Sequence, residues 1–350
     1  MRTWEVIIVG GGIIGLSLSI SLRKRGAKVL LIERGEPGRE ASHAAAGMLA
    51  DYPAETPTAL QALATASACM YPEFVHELQD ESGIKVDLRE DGTLLFANPG
   101  EPHAGSTRRA LPASLHELEP ALAEPDRPAL YLKERSVDPR ALAAAALQAA
   151  KHRQVDIACG TPVEEVLLSD GRVSGVATNR SHYCAPVVVN CAGAWAGSFP
   201  PHRFPTRPVK GQMLMVAGVK PVRHVIRSPE VYLVPRSDGR TLIGTTVEEA
   251  GYDKRTDPNV IHRLHQEAIR MVPALAQARV LEAWAGLRPG TPDDLPILGA
   301  TDTPGYFVAA GHFRDGILLA PITAHLVAEL INAVAPEHDL TPFSPARFPK

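Results

Sequence analysis

The chain predicts an α/β fold in which one domain is assembled from distant segments and a second, strand-rich domain is inserted between them. The first observation is the unbroken apolar run Val6-Ile7-Ile8-Val9, followed by Gly10-Gly11-Gly12-Ile13-Ile14-Gly15. The second is its echo, Val29-Leu30-Leu31-Ile32, which ends on Glu33. Continuous apolar strands without polar alternation are buried on both faces, as in a parallel sheet covered by helices. The third is the distribution of such segments. Strand–turn–helix character marks residues 1–50, 155–195 and 305–333, and strand-rich stretches separate them.

The elements follow in order. Leu16-Ser17-Leu18-Ser19-Ile20-Ser21-Leu22 alternates with the period of a strand. Gly15 before it and Arg23-Lys24-Arg25-Gly26 after it argue for a helix with a basic last turn and a glycine stop. In that helix the serines supply a small face against the sheet. Residues 59–82 predict a long helix ended by Gly83 and kinked at Pro72. Residues 87–97 predict strands around Asp91-Gly92. Residues 99–128, rich in Pro, Gly, Ala and charge, predict a surface excursion with a short helix near Ser114. Asp138 and Pro139 suit the cap and first position of an alanine-rich helix through Lys151.

Residues 155–158, 163–168 and 173–178 predict a strand and a hairpin turning at Asp170-Gly171. Residues 187–191 form another buried strand. Further strands are expected at 211–216, 231–234, 241–245 and 306–309, with helices at 258–271 and from about Gly316 to Ala333. The expected division is residues 1–83, 137–204 and 285–350 for the discontinuous domain, and 84–136 with 205–284 for the inserted one.

A chain of 350 residues is long enough for two domains or one large composite unit, and 45% hydrophobic and 21% charged residues are ordinary for a soluble globular protein. A formal charge of -3 gives no electrostatic reason to expect nucleic acid or an anionic membrane as partner. Cys69, Cys159, Cys184 and Cys191 show no metal spacing and read as reduced, mostly buried thiols of an intracellular protein. Glu5 and the glycines interrupt the first apolar run, and no small-residue cleavage site follows, so the run reads as fold and not as a secretion signal. No stretch reaches the ~20 apolar residues of a membrane span. A cytoplasmic protein is expected.

The glycine turn carries chemistry. Gly10 allows a tight turn, Gly12 lets the backbone approach a pyrophosphate, and Gly15 lets the helix pack on the strand. The first N–H groups of that helix are free to meet phosphates. Glu33 lies 18 residues beyond Gly15, near the spacing at which an acid accepts from a ribose hydroxyl. An acid there favours an unphosphorylated ribose, so the motif predicts NAD or FAD.

Four further segments narrow this: Arg39-Glu40-Ala41-Ser42-His43-Ala44-Ala45-Ala46-Gly47-Met48-Leu49; Pro208-Val209-Lys210-Gly211-Gln212; Trp284-Ala285-Gly286-Leu287-Arg288-Pro289-Gly290-Thr291; and Ala310-Gly311-His312-Phe313-Arg314-Asp315-Gly316-Ile317-Leu318-Leu319-Ala320-Pro321. With the glycine turn, in this order, they make nearly the whole chain resemble the glycine oxidase family of the D-amino acid oxidase superfamily. The resemblance implies a glutathione-reductase-type, Rossmann-like FAD-binding domain carrying a mixed-sheet α+β substrate domain.

It also implies which residues hold FAD. Ile13 and Ile14 fall at the pyrophosphate turn, and Glu33 and Arg34 at the ribose and adenine end. Ala41, Ser42, Ala46, Gly47 and Met48 match the loop against pyrophosphate and flavin, and Val163 matches the position whose backbone contacts adenine. His312, Phe313, Arg314, Asp315, Gly316, Ile317 and Leu318 match the segment that crosses the isoalloxazine. There a helix start can offer N–H groups to the flavin edge where reduction builds negative charge. Related N-methyl amino acid oxidases attach flavin through a histidine directly before Ala-Ala-Gly. Here Ala44 intervenes after His43, so noncovalent FAD is expected.

For substrate, the resemblance implies Arg288, Arg314 and Tyr232. A small amino acid has little apolar surface, so its carboxylate must orient it, and a guanidinium fork grips a carboxylate in two places where an ammonium cannot. Hydride transfer from the α-carbon needs alignment and a neutral amine, and no catalytic side-chain base is expected. Asp315 departs from the asparagine of the glycine oxidase pattern, and it bears on substrate preference.

The implied activity is oxidative deamination of glycine and small N-methyl or D-amino acids with O₂, supplying thiazole synthesis in thiamine biosynthesis. A flavin dehydrogenase for D-amino or imino acids that passes electrons to a carrier is the alternative. An NAD-linked dehydrogenase leaves the Ala46-Gly47-Met48 and Arg314–Leu318 segments unexplained. The family also suggests a homotetramer.

Overall fold

The structure, a computed structural model, describes residues 3–96, 111–123, 128–219 and 222–348. A six-stranded sheet runs in the order Ile297–Ala300, Tyr306–Ala310, Val187–Asn190, Val6–Val9, Val29–Ile32 and Asp156–Ala158. Val6 pairs in parallel with Val29 on one side and Val187 on the other, which puts the glycine turn at the sheet's carboxyl edge.

Alternate residues of these strands feed two cores. Val6, Ile8, Val29 and Leu31 pack beneath helices Ile13–Lys24, Gln61–Ser82, Pro139–His152 and Ala320–Ile331. Ile7, Val9, Leu30 and Ile32 pack on Val166, Val173 and Val176 of a small antiparallel sheet, Val163–Ser169, Arg172–Thr178 and His182–Cys184. The continuous apolar runs are therefore sandwiched on both faces, as their composition requires.

The alternating segment 16–22 is helical, within Ile13–Lys24. Every residue from Ile13 to Ile20 is buried, Ser17 and Ser19 included, because the helix is surrounded by the sheet and by the helices Pro139–His152 and Ala320–Ile331. A helix buried on all sides has no polar face to mark its period.

A seven-stranded sheet runs Arg279–Gly290, Arg207–Ala217, Thr241–Gly244, Tyr232–Pro235, Val225–Arg227, Thr93–Phe96 and Ala129–Leu132. Leu214, Val216, Ile226, Leu233 and Ile243 on one face pack against Leu264 and Ala268 of helix Pro258–Met271. The opposite face looks toward the glycine turn and forms a wall of the site. A second small sheet, Met48–Leu49, Arg135–Val137 and Leu88–Arg89, joins the two halves.

Some expectations change and others hold. The last helix begins at Ala320, not near Gly316, because residues 313–319 fold into successive turns closed by Leu319 N–H to the Asp315 carbonyl, 2.8 Å, and Ala320 N–H to the Ile317 carbonyl, 3.2 Å. Three of the four cysteines, Cys69, Cys159 and Cys184, are exposed; Cys191 alone among them is buried, and all four are free thiols. The strands at Leu88–Arg89 and Thr93–Phe96 belong to different sheets. Helix Gln61–Ser82 runs through Pro72 and stops at left-handed Gly83. Ser114 caps the short helix Leu115–Leu118 through a capping box with Glu117. Of the expected excursion, residues 99–110 and 124–127 lie outside the described residues. Strand Arg279–Gly290 runs through the expected boundary at 284/285, since edge pairing with Arg207–Ala217 continues along its length.

Candidate cofactor and substrate site

The glycine turn is built as its spacing requires. Gly10 has φ +111°, and a side chain there would press on the backbone of Cys191, whose N–H donates to Val9. Gly15 abuts the Gly10 carbonyl so closely that a Cβ would clash, so the helix can approach the strand only without one. Gly12 opens toward a cavity, and a Cβ added there would stand 3.4 Å from Ser42 Oγ. Ile13 N–H donates to that Ser42 Oγ at 2.9 Å. The N–H groups of Gly12 and Ile14 have no partner among the described residues.

Glu33 is drawn inward. Its Oε2 accepts from Gly11 N–H at 2.7 Å and its Oε1 from Gly35 N–H at 2.8 Å, while the residue still lines the cavity. Each oxygen keeps a lone pair for a ribose hydroxyl. Arg34 lies over the Trp195 ring, 3.5 Å from its centroid, and pairs with Glu40 at 3.0 Å.

The cavity encloses about 1190 Å³ and runs from Glu33, Arg34 and Val163 to Tyr232, Arg288 and Arg314. Ala41, Ser42, Ala46, Gly47 and Met48 line its middle. Buried Arg236 holds this loop by donating to the Ala46 carbonyl at 2.7 Å and to the Val137 carbonyl at 3.2 Å. No motif marks Arg236 in the sequence, since its role depends on pairing across 190 residues. His43 faces elsewhere: it lines a separate outer cleft, with Nε2 3.1 Å from Arg39 Nη1. Burial, then Arg140 and Arg39, lowers its pKa.

At the far end, the seven-stranded sheet supplies a row of side chains on one face. Arg288 lies flat over Gly211 of the neighbouring strand, whose added Cβ would stand 2.6 Å from Nη2. Tyr232 lies over Gly244 in the same way, 2.7 Å from ring to added Cβ. Both glycines are bare so that a long side chain can cross the strand. Arg288 donates from Nη1 to the Thr246 carbonyl at 3.1 Å and from Nη2 to Thr245 Oγ1 at 3.0 Å. The Tyr232 hydroxyl meets both Arg288 and Thr245. Burial pushes the Tyr232 phenol up.

The turn after strand Tyr306–Ala310 forms the opposing wall. Phe313 is left-handed at φ 44°, stabilised by its N–H donation to the Pro289 carbonyl at 2.9 Å, and Arg314 follows into the cavity. Such a backbone costs a bulky residue on the order of 1–3 kcal/mol, which the surrounding contacts must offset. Helix Gln61–Ser82 holds this turn from behind. Tyr71 Oη donates to the Ile317 carbonyl and Ser67 Oγ to the Leu318 carbonyl, each at 2.6 Å. Gly316 and Ile317 line the cavity, and their N–H groups have no partner among the described residues.

Burial drives the His312 pKa down to about 3, so this cavity-lining imidazole stays neutral while its Nε2 lies 3.1 Å from Thr323 Oγ1. Burial raises Asp315 to about 6 against the pull of Arg314. Neither Arg288 nor Arg314 has an ion-pair partner within 4 Å among the described residues. Of the residues expected at the site, Gly15 and Leu318 alone stand outside the cavity wall: Gly15 is spent on the helix–strand contact, and Leu318 is buried in the core beneath the turn.

Open N–H groups at both ends, a glycine without a Cβ at the helix start and one long cavity between them fit an extended dinucleotide such as FAD. The family model for FAD dependent oxidoreductases (DAO) matches residues 5–330. The chain belongs to this family. Glycine oxidase from Geobacillus kaustophilus is 35% identical over 98% of this chain and 97% of its own length. Its crystal structure superposes over 100% of both chains with a TM-score of 0.90 and 32% identity. The bifunctional protein ThiO/ThiG of Trichormus variabilis is 36% identical over 99% of this chain, which spans 56% of that relative's length. The hydrogen cyanide synthase subunit HcnC of Pseudomonas aeruginosa is 32% identical over 99% of this chain and 97% of its own. This DAO family member is an FAD-dependent oxidoreductase of the glycine oxidase type, and no helix among its described residues is long and apolar enough to cross a membrane.

Proposed function

We propose that this enzyme oxidises glycine and small N-methyl or D-amino acids. For glycine, the substrate with O₂ and water gives glyoxylate, ammonia and hydrogen peroxide, and the reaction supplies thiazole synthesis in thiamine biosynthesis. The observation that carries the reading is the Arg288–Tyr232 pair with Arg314 opposite. It offers two guanidinium groups without carboxylate partners among the described residues, at the end of a dinucleotide cavity.

When bound, noncovalent FAD supplies the acceptor for a hydride from the α-carbon and the site where O₂ is reduced. Gly12 and the first turn of helix Ile13–Lys24 would hold its pyrophosphate, Glu33 and Arg34 its ribose and adenine end, and the Gly316 and Ile317 N–H groups its ring. Arg288 and Tyr232 would take the substrate carboxylate from the sheet wall and Arg314 from the turn, orienting the α-carbon. Thr245 and Thr246 restrain the Arg288 guanidinium, so less freedom is lost on binding. Neutral His312 neither competes for the carboxylate nor repels the amine.

Steady-state assays with glycine, sarcosine and D-alanine in air test this reading, with stoichiometric peroxide as the expected result. Turnover only with an artificial electron acceptor would support the carrier-linked dehydrogenase instead.

A further inference from the structure

Beyond the carboxylate clamp, the row on the sheet face continues to a third cation. Arg227 is the direct antiparallel partner of Tyr232, so the two side chains share a face with Cβ atoms about 5 Å apart. Arg227 lines the same cavity, and its side chain is 13% exposed. Its Nη2 is paired with Glu55, from the 50–57 segment that lines the cavity opposite it. The Glu55 side chain is 47% exposed, so its carboxylate is the solvated partner of a largely buried arginine.

The remaining hydrogen-bonding capacity of Arg227 is under-used. Its Nε is buried with no hydrogen-bond partner, and its Nη1 stands 3.7 Å from Glu134 Oε2, beyond hydrogen-bond distance. Glu134 lies beneath the arginine, 5% exposed and outside the cavity wall, and burial pushes its carboxyl up. Asp51 adds negative charge nearby and is also outside the wall. With Glu55 in place, a second substrate anion would meet a guanidinium already neutralised and surrounded by carboxyl groups.

We infer that Glu55 occupies a second carboxylate site on Arg227, and that this internal carboxylate makes the enzyme select amino acids with one acid group over those with two. The inference rests on the amino acid oxidase reading above and adds a specificity determinant to it. Deleting the Glu55 charge should open the site to acids whose second carboxylate lies a few bonds from the amine, such as iminodiacetate and D-aspartate.

The test compares wild-type holoenzyme, Glu55→Gln and the double variant Glu55→Gln/Arg227→Met. The kcat/KM for iminodiacetate and D-aspartate is divided by that for sarcosine and D-alanine. In parallel, malonate and acetate are titrated against the flavin absorbance to give a Kd ratio. Glu55→Gln should raise both diacid-to-monoacid preferences at least ten-fold, and adding Arg227→Met should abolish the gain. An unchanged preference in Glu55→Gln, or a gain that survives Arg227→Met, overturns the inference. Failure of the wild type to oxidise any monoacid would instead refute the oxidase reading, and the malonate-to-acetate ratio would still decide the role of Glu55.

Discussion

Arg288 and Arg314 differ in how the protein prepares them. Arg288 is fastened to Thr245 and Thr246 and laid across Gly211, whereas Arg314 is exposed and aimed by the left-handed Phe313. A charge-assisted hydrogen bond contributes roughly 1.5–3 kcal/mol. Arg288→Lys keeps the charge and loses the fork, so kcat/KM for glycine should fall at least ten-fold to a hundred-fold in steady-state kinetics. Arg314→Gln should cost a similar factor. Asp315 adds a pH term: its carboxyl is raised to about 6 by burial, against about 3.9 in an unfolded chain. The folded state therefore holds this proton more tightly, and stability falls as pH rises through that window and stays lowered above it. Asp315→Asn removes the penalty. Denaturant melts should show a gain of about 3 kcal/mol above neutral pH and none below about pH 4.

Among the elements, the strands and helices announced by caps and apolar runs were legible, such as the strand Val6–Val9 and the helix Pro139–His152 behind Asp138. The start of the last helix was not, because the residues after His312 satisfy their backbone in turns pinned by Tyr71 and Ser67, about 250 positions away in the chain. Gly211 and Gly244 were equally silent as site residues: their purpose is to lie under side chains from neighbouring strands, a relation set by register. That relation separates two alanine substitutions. Gly211→Ala meets the movable end of Arg288, so it should lower kcat/KM at least ten-fold while leaving the melting temperature within a few degrees. Gly15→Ala meets the Gly10 backbone, which cannot yield without separating helix from strand, and should destabilise the fold by several kcal/mol in denaturant melts.

At the scale of the molecule, a six-stranded sheet presents the glycine turn and a seven-stranded sheet presents a row of polar side chains, with one cavity between them. The cofactor end was readable in the sequence because its residues are contiguous and chemically distinctive. The walls around the substrate end were only partly readable. Arg288, Arg314 and Tyr232 stood in recognisable runs, but Arg227 and Glu55 meet across 172 positions and share no motif. The central claim joins the two ends: FAD held by the glycine turn is reduced by a small amino acid held by Arg288, Tyr232 and Arg314. Anaerobic addition of glycine to the purified holoenzyme, followed by its visible absorbance, tests that claim most directly. The account predicts a yellow protein whose flavin absorbance bleaches with glycine and returns on admitting air, with one peroxide per turnover. A colourless protein that cannot be reconstituted with FAD, or a bound flavin that no small amino acid reduces, would contradict it.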